Sequence, residues 1–183
     1  KLSHAYLFSG PDGLGQETMV REFSHLINCQ NESEMKRPCG GCPSCVEFKK
    51  NCHPDFFWLE PAERGVVENE TNLIRNLGRW LSLRPSLGKY KIAVINQFET
   101  FSAAAQSALL KTLEEPAGNA VLILLSRQPN LILPTILSRT QEICFYTWPM
   151  SRIRDLLKSQ GMGDQAAIQI ALLSSGRPAK ALS

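Results

Sequence analysis

The stretch Ser9-Gly10-Pro11-Asp12-Gly13-Leu14-Gly15-Gln16-Glu17-Thr18 decides the fold of this chain. It follows an apolar run at residues 5–8, which is typical of a buried strand. Apolar residues at helical spacing continue from residue 19 to residue 27 and predict an amphipathic helix. A strand, a glycine turn and a helix form the context of a phosphate-binding loop, because backbone N–H groups at the helix N-terminus then face an anion.

The stretch has the glycines of a phosphate-binding loop without its charged residues. Gly10 and Gly15 stand where the pattern G-x-x-x-x-G-K-[ST] places its glycines, and Gly13 lies between them. Gln16 and Glu17 occupy the positions of the lysine and the hydroxyl residue. An amide does not neutralise a phosphate, and a carboxylate about 4 Å from a like charge costs about 4 kcal/mol at an effective dielectric of ~20. We therefore predict a degenerate loop without functional ATP binding, although free N–H groups at Gly15 could still attract a sulfate or phosphate weakly.

Strands and helices alternate through most of the 183 residues. Apolar runs predict further strands at residues 55–59, 90–95, 120–125 and 142–146. Helices are expected at residues 71–85 and 102–115, with a short helical turn at 134–139. Thr71 is the predicted cap of the first of these helices, and a charged, mobile loop is expected before it at 62–70. Continuous apolar strands between helices are typical of a parallel sheet covered on both faces. We predict an α/β domain at residues 1–149.

The pattern changes after residue 149. Helical periodicity at residues 151–160 and 164–174 predicts a small all-helical domain at residues 150–183. Residues 177–183 look like the beginning of a helix, so we expect the sequence to be a piece of a longer protein.

Composition excludes several classes of protein. With 20% charged and 43% hydrophobic residues, a net charge of +3 and a pI of about 8.6, the chain is too weakly basic to indicate nucleic-acid binding by charge alone. It shows no signal peptide and no apolar run near 18 residues, so we expect no membrane span and a cytoplasmic location.

Four of the six cysteines crowd into one segment and carry the most specific chemical signal. Cys39, Cys42 and Cys45 follow the spacing C-x-x-C-x-x-C, and Cys29 can fold back as a fourth ligand. Four thiolates suit tetrahedral Zn²⁺ in a closed structural site. We predict a zinc module inserted at residues 29–52; the alternatives are free thiols, an oxidised pair, or Cys52-His53 as another ligand pair.

The two remaining cysteines are interpreted as thiols without a metal. Cys52 is expected to be a buried thiol, and Cys144, within an apolar run, is expected in the core.

Asn96 and Gln97 follow the strand at 90–95, where a nucleotide-hydrolysing sheet needs one acid for Mg²⁺ and another to polarise water. An amide does neither, so these residues predict a degenerate Walker B motif.

These motifs resemble the clamp-loader branch of the AAA+ ATPases, which includes the gamma/tau and delta-prime subunits of bacterial DNA polymerase III. The resemblance covers essentially the whole chain, and its most specific blocks are residues 108–116 and 133–139, with further matches at 4–8, 53–55 and the four cysteines. Gamma/tau subunits keep the Walker A lysine and the Walker B acids, so the amides and the glutamate found here separate the delta-prime type from them. The fold implied is an AAA+ domain with a zinc module, followed by a helical lid.

The resemblance also implies roles for single residues. Arg139 stands in the family's Ser-Arg-Cys motif, whose arginine enters the ATP site of a neighbouring subunit; Thr140 replaces the cysteine, a change expected to be harmless. Ser126 falls at a nucleotide-sensing position that has no nucleotide to sense. Arg177 falls loosely near a second sensor position and is interpreted as a residue at a helix start.

The function implied is that of a non-hydrolysing stator in the clamp loader of the DNA polymerase III holoenzyme, a nucleotidyltransferase. Its partners would be gamma/tau and delta subunits in a hetero-pentamer, and through them the sliding clamp and primed DNA. The family's C-terminal collar domain is not in this sequence, so we expect this chain alone to be monomeric or weakly associating and inactive. Two alternatives are an active gamma/tau-type ATPase and a zinc-dependent nucleic-acid-binding module, thinly supported by Lys36-Arg37 and Lys49-Lys50.

Overall fold

A computed structural model of the chain describes residues 2–61, 70–116 and 118–182. Within them lies one five-stranded sheet of order β2-β3-β4-β1-β5, and every pair of neighbouring strands is parallel. The strands are β1 Ala5–Ser9, β2 Phe56–Leu59, β3 Lys91–Ile95, β4 Ala120–Ser126 and β5 Gln141–Cys144. The α-helices are α1 Gln16–Asn28, α2 Pro43–Lys49, α3 Glu70–Leu81, α4 Ala103–Glu114, α5 Pro134–Leu137, α6 Met150–Ser159, α7 Asp164–Leu173 and α8 Pro178–Leu182.

Helices cover both faces of the sheet. Successive strand residues point to opposite faces, so Ala93 and Ile95 of β3 join one buried cluster while Ile92 and Val94 join another. The first cluster includes the apolar faces of α3, α4 and α5, and the second includes the apolar face of α1. The predicted α/β architecture is confirmed, with each face of the sheet closed by the helices expected for a buried parallel sheet.

The loop before β3 is held by a buried aspartate. Asp55 is fully buried, and its carboxylate accepts N–H hydrogen bonds of 2.7 Å from Ser86, Leu87 and Gly88. Lys91 at the start of β3 is also buried and donates to Asp55 at 3.2 Å. Burial opposes ionisation of Asp55, but the three N–H groups and Lys91 outweigh it and lower the pKa of the carboxyl. Asp55 therefore fixes the loop that leads into β3, a strand with a neighbour on both sides.

The last three helices form a cluster of their own. Ile153, Leu157, Ala167, Ala171 and Ala181 are buried against one another. The helices predicted at residues 151–160 and 164–174 are confirmed as α6 and α7, with every end within one residue of the prediction. The division into domains at residue 149 stays a prediction.

Several local predictions were wrong. Cys144 is exposed, because β5 is an edge strand whose four residues are all exposed. Cys52 is also exposed, and its thiol donates to the Glu47 carboxylate at 2.9 Å instead of entering the core. Thr71 does not cap α3, since that helix already includes Glu70. Ser102 does cap α4, where its hydroxyl accepts from the N–H of the residue three positions on.

The predicted loop at residues 62–70 lies, except for its last residue, outside the described residues. None of the helices within the three described ranges is long and apolar enough to cross a membrane.

Candidate functional site

The glycine loop joins β1 to α1 and has the backbone geometry that its sequence predicts. Gly10, Gly13 and Gly15 all have positive φ angles, of 146°, 81° and 92°. A Cβ atom at Gly10 would collide with the backbone carbonyl of Phe145, so no other residue fits there without a shift of the chain. The loop thus turns sharply and places the N-terminus of α1 beside the ends of the neighbouring strands.

A cavity of about 390 Å³ lies under this loop, at the carboxyl ends of β1, β3 and β4. This is where parallel α/β sheets bind ligands. The structure brings together every residue of the predicted nucleotide site in its lining: Gly10, Gly13, Gly15, Gln16, Glu17, Asn96, Gln97 and Ser126. These residues therefore share one cavity, and their role as a degenerate nucleotide site stays a prediction.

Gln16 bridges the loop instead of presenting a cation. Its Nε2 donates to the carbonyl oxygens of Gly10 and Pro11, both at 3.0 Å. The side chain thereby stabilises the loop from within, but it carries no formal charge for a phosphate. Glu17 lies exposed in the first turn of α1, where a carboxylate is favourable to the helix dipole and unfavourable to a bound anion.

Asn96 and Gln97 form hydrogen bonds inside the protein. The Asn96 amide donates to Glu60 at 3.0 Å, and its oxygen accepts from the N–H of Gln97 at 2.9 Å. Gln97 has a positive φ of 47°. Among the described residues, the charged ones that line the cavity are Asp12, Glu17 and Arg127, whose formal charges sum to −1. A cavity of this charge is a poor environment for a triphosphate.

Arg127, directly after β4, was missed by the sequence analysis. Its Nη1 pairs with Asp12 at 2.9 Å, its Nε with Glu99 at 3.4 Å, and its Nη2 donates to the Gln97 amide oxygen at 2.9 Å. The hydrogen bond to Asp12, with a smaller contribution from Glu99, raises the pKa of the guanidinium against the effect of burial. Its partners are far apart in the chain, so sequence spacing gave no signal.

The four predicted cysteines meet at a second site. All four Sγ atoms lie within 4.8 Å of one another, and those of Cys39 and Cys45 are 3.9 Å apart. A tetrahedral zinc with Zn–S bonds of about 2.3 Å requires sulfur–sulfur separations of about 3.8 Å. The arrangement therefore fits a tetrahedral S₄ metal site that includes Cys29 and Cys42.

Backbone N–H groups point at these sulfurs. The N–H of Cys39 donates to Cys29 at 3.4 Å, that of Cys42 to Cys39 at 3.4 Å, and that of Cys45 to Cys42 at 3.4 Å. Such donors favour thiolates: the N–H groups of Gly41 and Cys42 lower the pKa of Cys39 to about 6. Burial instead raises the pKa of Cys45 to about 12. The donor set suits a cation that holds all four thiolates.

The alternative ligand pair Cys52-His53 does not join this group. His53 is buried, with Nε2 3.0 Å from the Ser44 hydroxyl, and its Nδ1 accepts from the N–H of Asp55 at 3.1 Å. Both ring nitrogens are therefore engaged in hydrogen bonds within the fold. His53 also stacks on Phe48 with ring centroids 4.2 Å apart, which makes it a packing residue.

Arg139 lies just after α5 at the surface. Its Nη1 donates to the Thr135 carbonyl at 3.0 Å, and its Nη2 pairs with Glu114 of α4 at 3.0 Å. The Arg139 side chain is 38% exposed. Thr140 donates its hydroxyl to the Ile136 carbonyl at 3.2 Å, so it completes the end of the short helix. Arg139 is not among the described residues that line the glycine-loop cavity.

Arg177 precedes α8, as predicted for a residue at a helix start. It also lies against the glycine loop, because a Cβ at Gly13 would be 3.4 Å from the Arg177 Cβ. The N–H of Ala179 in α8 donates to the Gly13 carbonyl at 3.0 Å. The last helix thus contacts the loop directly, which the sequence did not indicate.

A parallel sheet of this strand order, with a glycine loop after β1 and small helices beside it, defines an AAA+ type of P-loop fold. The solved structure of a DNA polymerase III gamma subunit-related protein from Thermotoga maritima supports the fold, with a TM-score of 0.56 and 22% identity over 93% of this chain and 53% of that one. The RuvB Holliday junction branch migration motor of the same organism gives a TM-score of 0.59 and 18% identity over 99% of this chain and 52% of that one. The chain belongs to the family described as DNA polymerase III, delta subunit, whose model matches residues 1–148.

Subunits of DNA polymerase III from two bacteria are among the similar sequences. The DNA polymerase III subunit delta' of Pseudomonas aeruginosa is 37% identical over 143 residues, which are 78% of this chain and 43% of that protein. The subunit tau of Bacillus subtilis is 34% identical over 145 residues, which are 79% of this chain and 25% of that protein. The chain therefore spans less than half the length of these relatives.

Proposed function

We propose that this chain is a clamp-loader subunit of the delta-prime type, a stator that does not bind or hydrolyse ATP productively. The observation that carries this proposal is the chemistry of the glycine-loop cavity. Gln16 replaces the phosphate-binding lysine and is tied to the loop carbonyls, and Glu17 adds negative charge at the helix N-terminus. Asn96 and Gln97 replace the acids that hold Mg²⁺ and orient water. Phosphoryl transfer depends on these charges for positioning and electrostatic stabilisation.

Arg139 is the residue we propose acts on a neighbour. Its guanidinium is partly exposed just after α5, and its contacts to Glu114 and Thr135 are exposed enough to exchange for a phosphate. A planar, permanently charged group with several N–H donors suits the charge that develops on a γ-phosphate. Arginine fingers supplied in trans contribute about 10³–10⁵ in rate. The neighbour would be a gamma/tau subunit, in an assembly with delta that loads a sliding clamp onto primed DNA.

We also propose that Cys29, Cys39, Cys42 and Cys45 hold a structural Zn²⁺. The separations of their sulfur atoms and the N–H donors around them support this assignment. The metal would supply local folding energy and no reaction step, because protein ligands would fill all four positions. In the same proposal, residues 1–149 form the AAA+ domain and residues 150–183 belong to a small helical domain.

The test is reconstitution of the full-length protein with its partner subunits, carrying Arg139→Ala. ATP binding by the partners should persist, while hydrolysis at the site that receives the finger should fall by about 10³ or more. Arg154→Ala is the matched control, because Arg154 is 39% exposed and pairs with the exposed carboxylate of Asp155. If Arg139→Ala and Arg154→Ala turn over ATP equally, the assignment of Arg139 is wrong.

An active ATPase of the gamma/tau type remains the second candidate. Its support is that tau subunits match this chain almost as well as the delta' subunit does. Titration of the chain with labelled ATP and Mg²⁺ separates the two proposals. Micromolar binding followed by turnover favours the ATPase, and its absence favours the stator.

A further inference from the structure

The charged network at the mouth of the glycine-loop cavity is not used by the proposed stator function. Arg127 follows β4 and connects three separate segments of the chain. Its guanidinium contacts Asp12 in the glycine loop at 2.9 Å, and it contacts Gln97 at 2.9 Å and Glu99 at 3.4 Å in the segment after β3. The Arg127 side chain therefore connects the glycine loop to the carboxyl ends of β3 and β4.

The Glu99 carboxylate is paired with Arg127. Its side chain is only 5% exposed, and its Oε1 accepts from both the backbone N–H of Arg127 at 3.2 Å and the guanidinium. Its Oε2 is buried and has no hydrogen-bond partner among the described residues. A buried carboxylate is strongly unfavourable unless a cation compensates it. Arg127 supplies that compensation.

We propose that Arg127 is a resident cation of the degenerate pocket, which holds the glycine loop in its ordered shape without a bound ligand. In a loop that carries three glycines at positive φ, the ordered state loses much conformational entropy, and Arg127 adds a side-chain cross-link to the hydrogen bonds of Gln16 and Ala179 that also hold the loop. Arginine serves this purpose better than lysine, because its planar fork of donors contacts Asp12, Gln97 and Glu99 together.

This inference deepens the proposed function and rests on its premise that the pocket works without nucleotide. The geometry of the glycine loop should therefore stay the same through an ATP cycle, and so should the contact between that loop and Ala179 of α8. Such rigidity suits a subunit that presents a fixed surface to its neighbours. Local order here is a property of the chain alone and is measurable without partners or ATP.

The test is amide hydrogen exchange of residues 10–18, without nucleotide, in four versions of this chain. Arg127→Ala should accelerate exchange of the loop about fivefold to tenfold, because the loop loses its side-chain link to the segment after β3 and keeps its backbone hydrogen bond from Gly10 to Ser126 of β4. Arg127→Lys should give a smaller increase, since it keeps the charge and loses the fork. Arg154 has a similar exposure and pairs with Asp155, so Arg154→Ala should leave the exchange rates of the loop unchanged. Protection of β1, β3 and β4 reports whether each variant folds.

Asp12→Asn keeps the test decisive if Arg127→Ala fails to fold. The Asp12 side chain is 61% exposed, so its substitution removes the ion pair without disturbing the core. It should accelerate loop exchange about threefold, and less than Arg127→Ala does. Wild-type exchange in both Asp12→Asn and any folded Arg127→Ala chain would overturn the proposal. ATP titration of the wild-type chain tests the stator function separately, so the two failures are distinguishable.

Discussion

Loss of one metal ligand at the surface gives the sharpest test of the cysteine site. Cys39 is exposed, so Cys39→Ser removes a thiolate without opening a cavity in the core. Structural zinc sites bind with roughly 10–16 kcal/mol from four ligands. One thiolate in four therefore corresponds to a loss of about 100-fold or more in zinc affinity. We expect the purified variant to lose its metal to a chromophoric chelator that leaves the wild-type chain loaded.

The chain offers two matched controls for this experiment. Cys52 and Cys144 are exposed thiols outside the cluster, and Cys52→Ser and Cys144→Ser should retain one zinc per chain by elemental analysis. Hydrogen exchange should show unfolding of residues 29–45 in Cys39→Ser, with the sheet still protected. Full zinc retention by Cys39→Ser, or a wild-type chain that contains a disulfide and no metal, would refute the assignment.

The remaining predictions concern the cavity and its supports. The double change Gln16→Lys and Glu17→Thr converts the formal charge of the lining from −1 to +1 and should tighten ATP binding about 100-fold by calorimetry, whereas the uncharged change Gln16→Met should not. Equal affinities would show that charge does not exclude the nucleotide. Asp55→Ala should lower the free energy of unfolding by about 3–5 kcal/mol in urea titrations, because it leaves the buried Lys91 without its carboxylate and three N–H groups without their acceptor. The pKa of Asp55 is lowered in the folded state. Ionised Asp55 therefore stabilises the fold above its unfolded pKa of 3.8, and this contribution to the free energy of unfolding is lost as the pH falls through the folded pKa. Unfolding measured from pH 6 to pH 2 should show this loss in the wild type and not in Asp55→Ala. Gly10→Ala should cost about 1–3 kcal/mol by the same titration, and an unchanged midpoint would contradict the positive φ and the close approach of Phe145.

The sequence predicted the fold well where apolar periodicity is strong. The runs that became β1, β3 and β4 are long, apolar and bounded by turns, so their type and place were predictable. The order of the strands was not, because periodicity does not say which strands are neighbours. The exposure of Cys144 was missed for the same reason: β5 lies at an edge, and an apolar run alone does not distinguish an edge strand from a central one.

The two sites were predictable to different depths. The glycine loop and the cysteines follow spacings fixed by local backbone geometry, so both groups assembled as expected. The contacts of Arg127 with Asp12 and Glu99 connect residues far apart in the chain, and no short pattern encodes them. The pairing of Arg139 with Glu114 was missed on the same grounds, since it forms only after α4 and α5 pack together.

We expect the glycine-loop cavity of this chain not to hold a triphosphate. Isothermal titration of the wild-type chain with ATP and Mg²⁺ tests it most directly. We predict no saturable heat at concentrations up to about 1 mM, which corresponds to a binding free energy weaker than about −4 kcal/mol. A stoichiometric isotherm with a micromolar dissociation constant, abolished by Gly10→Ala, would contradict the account.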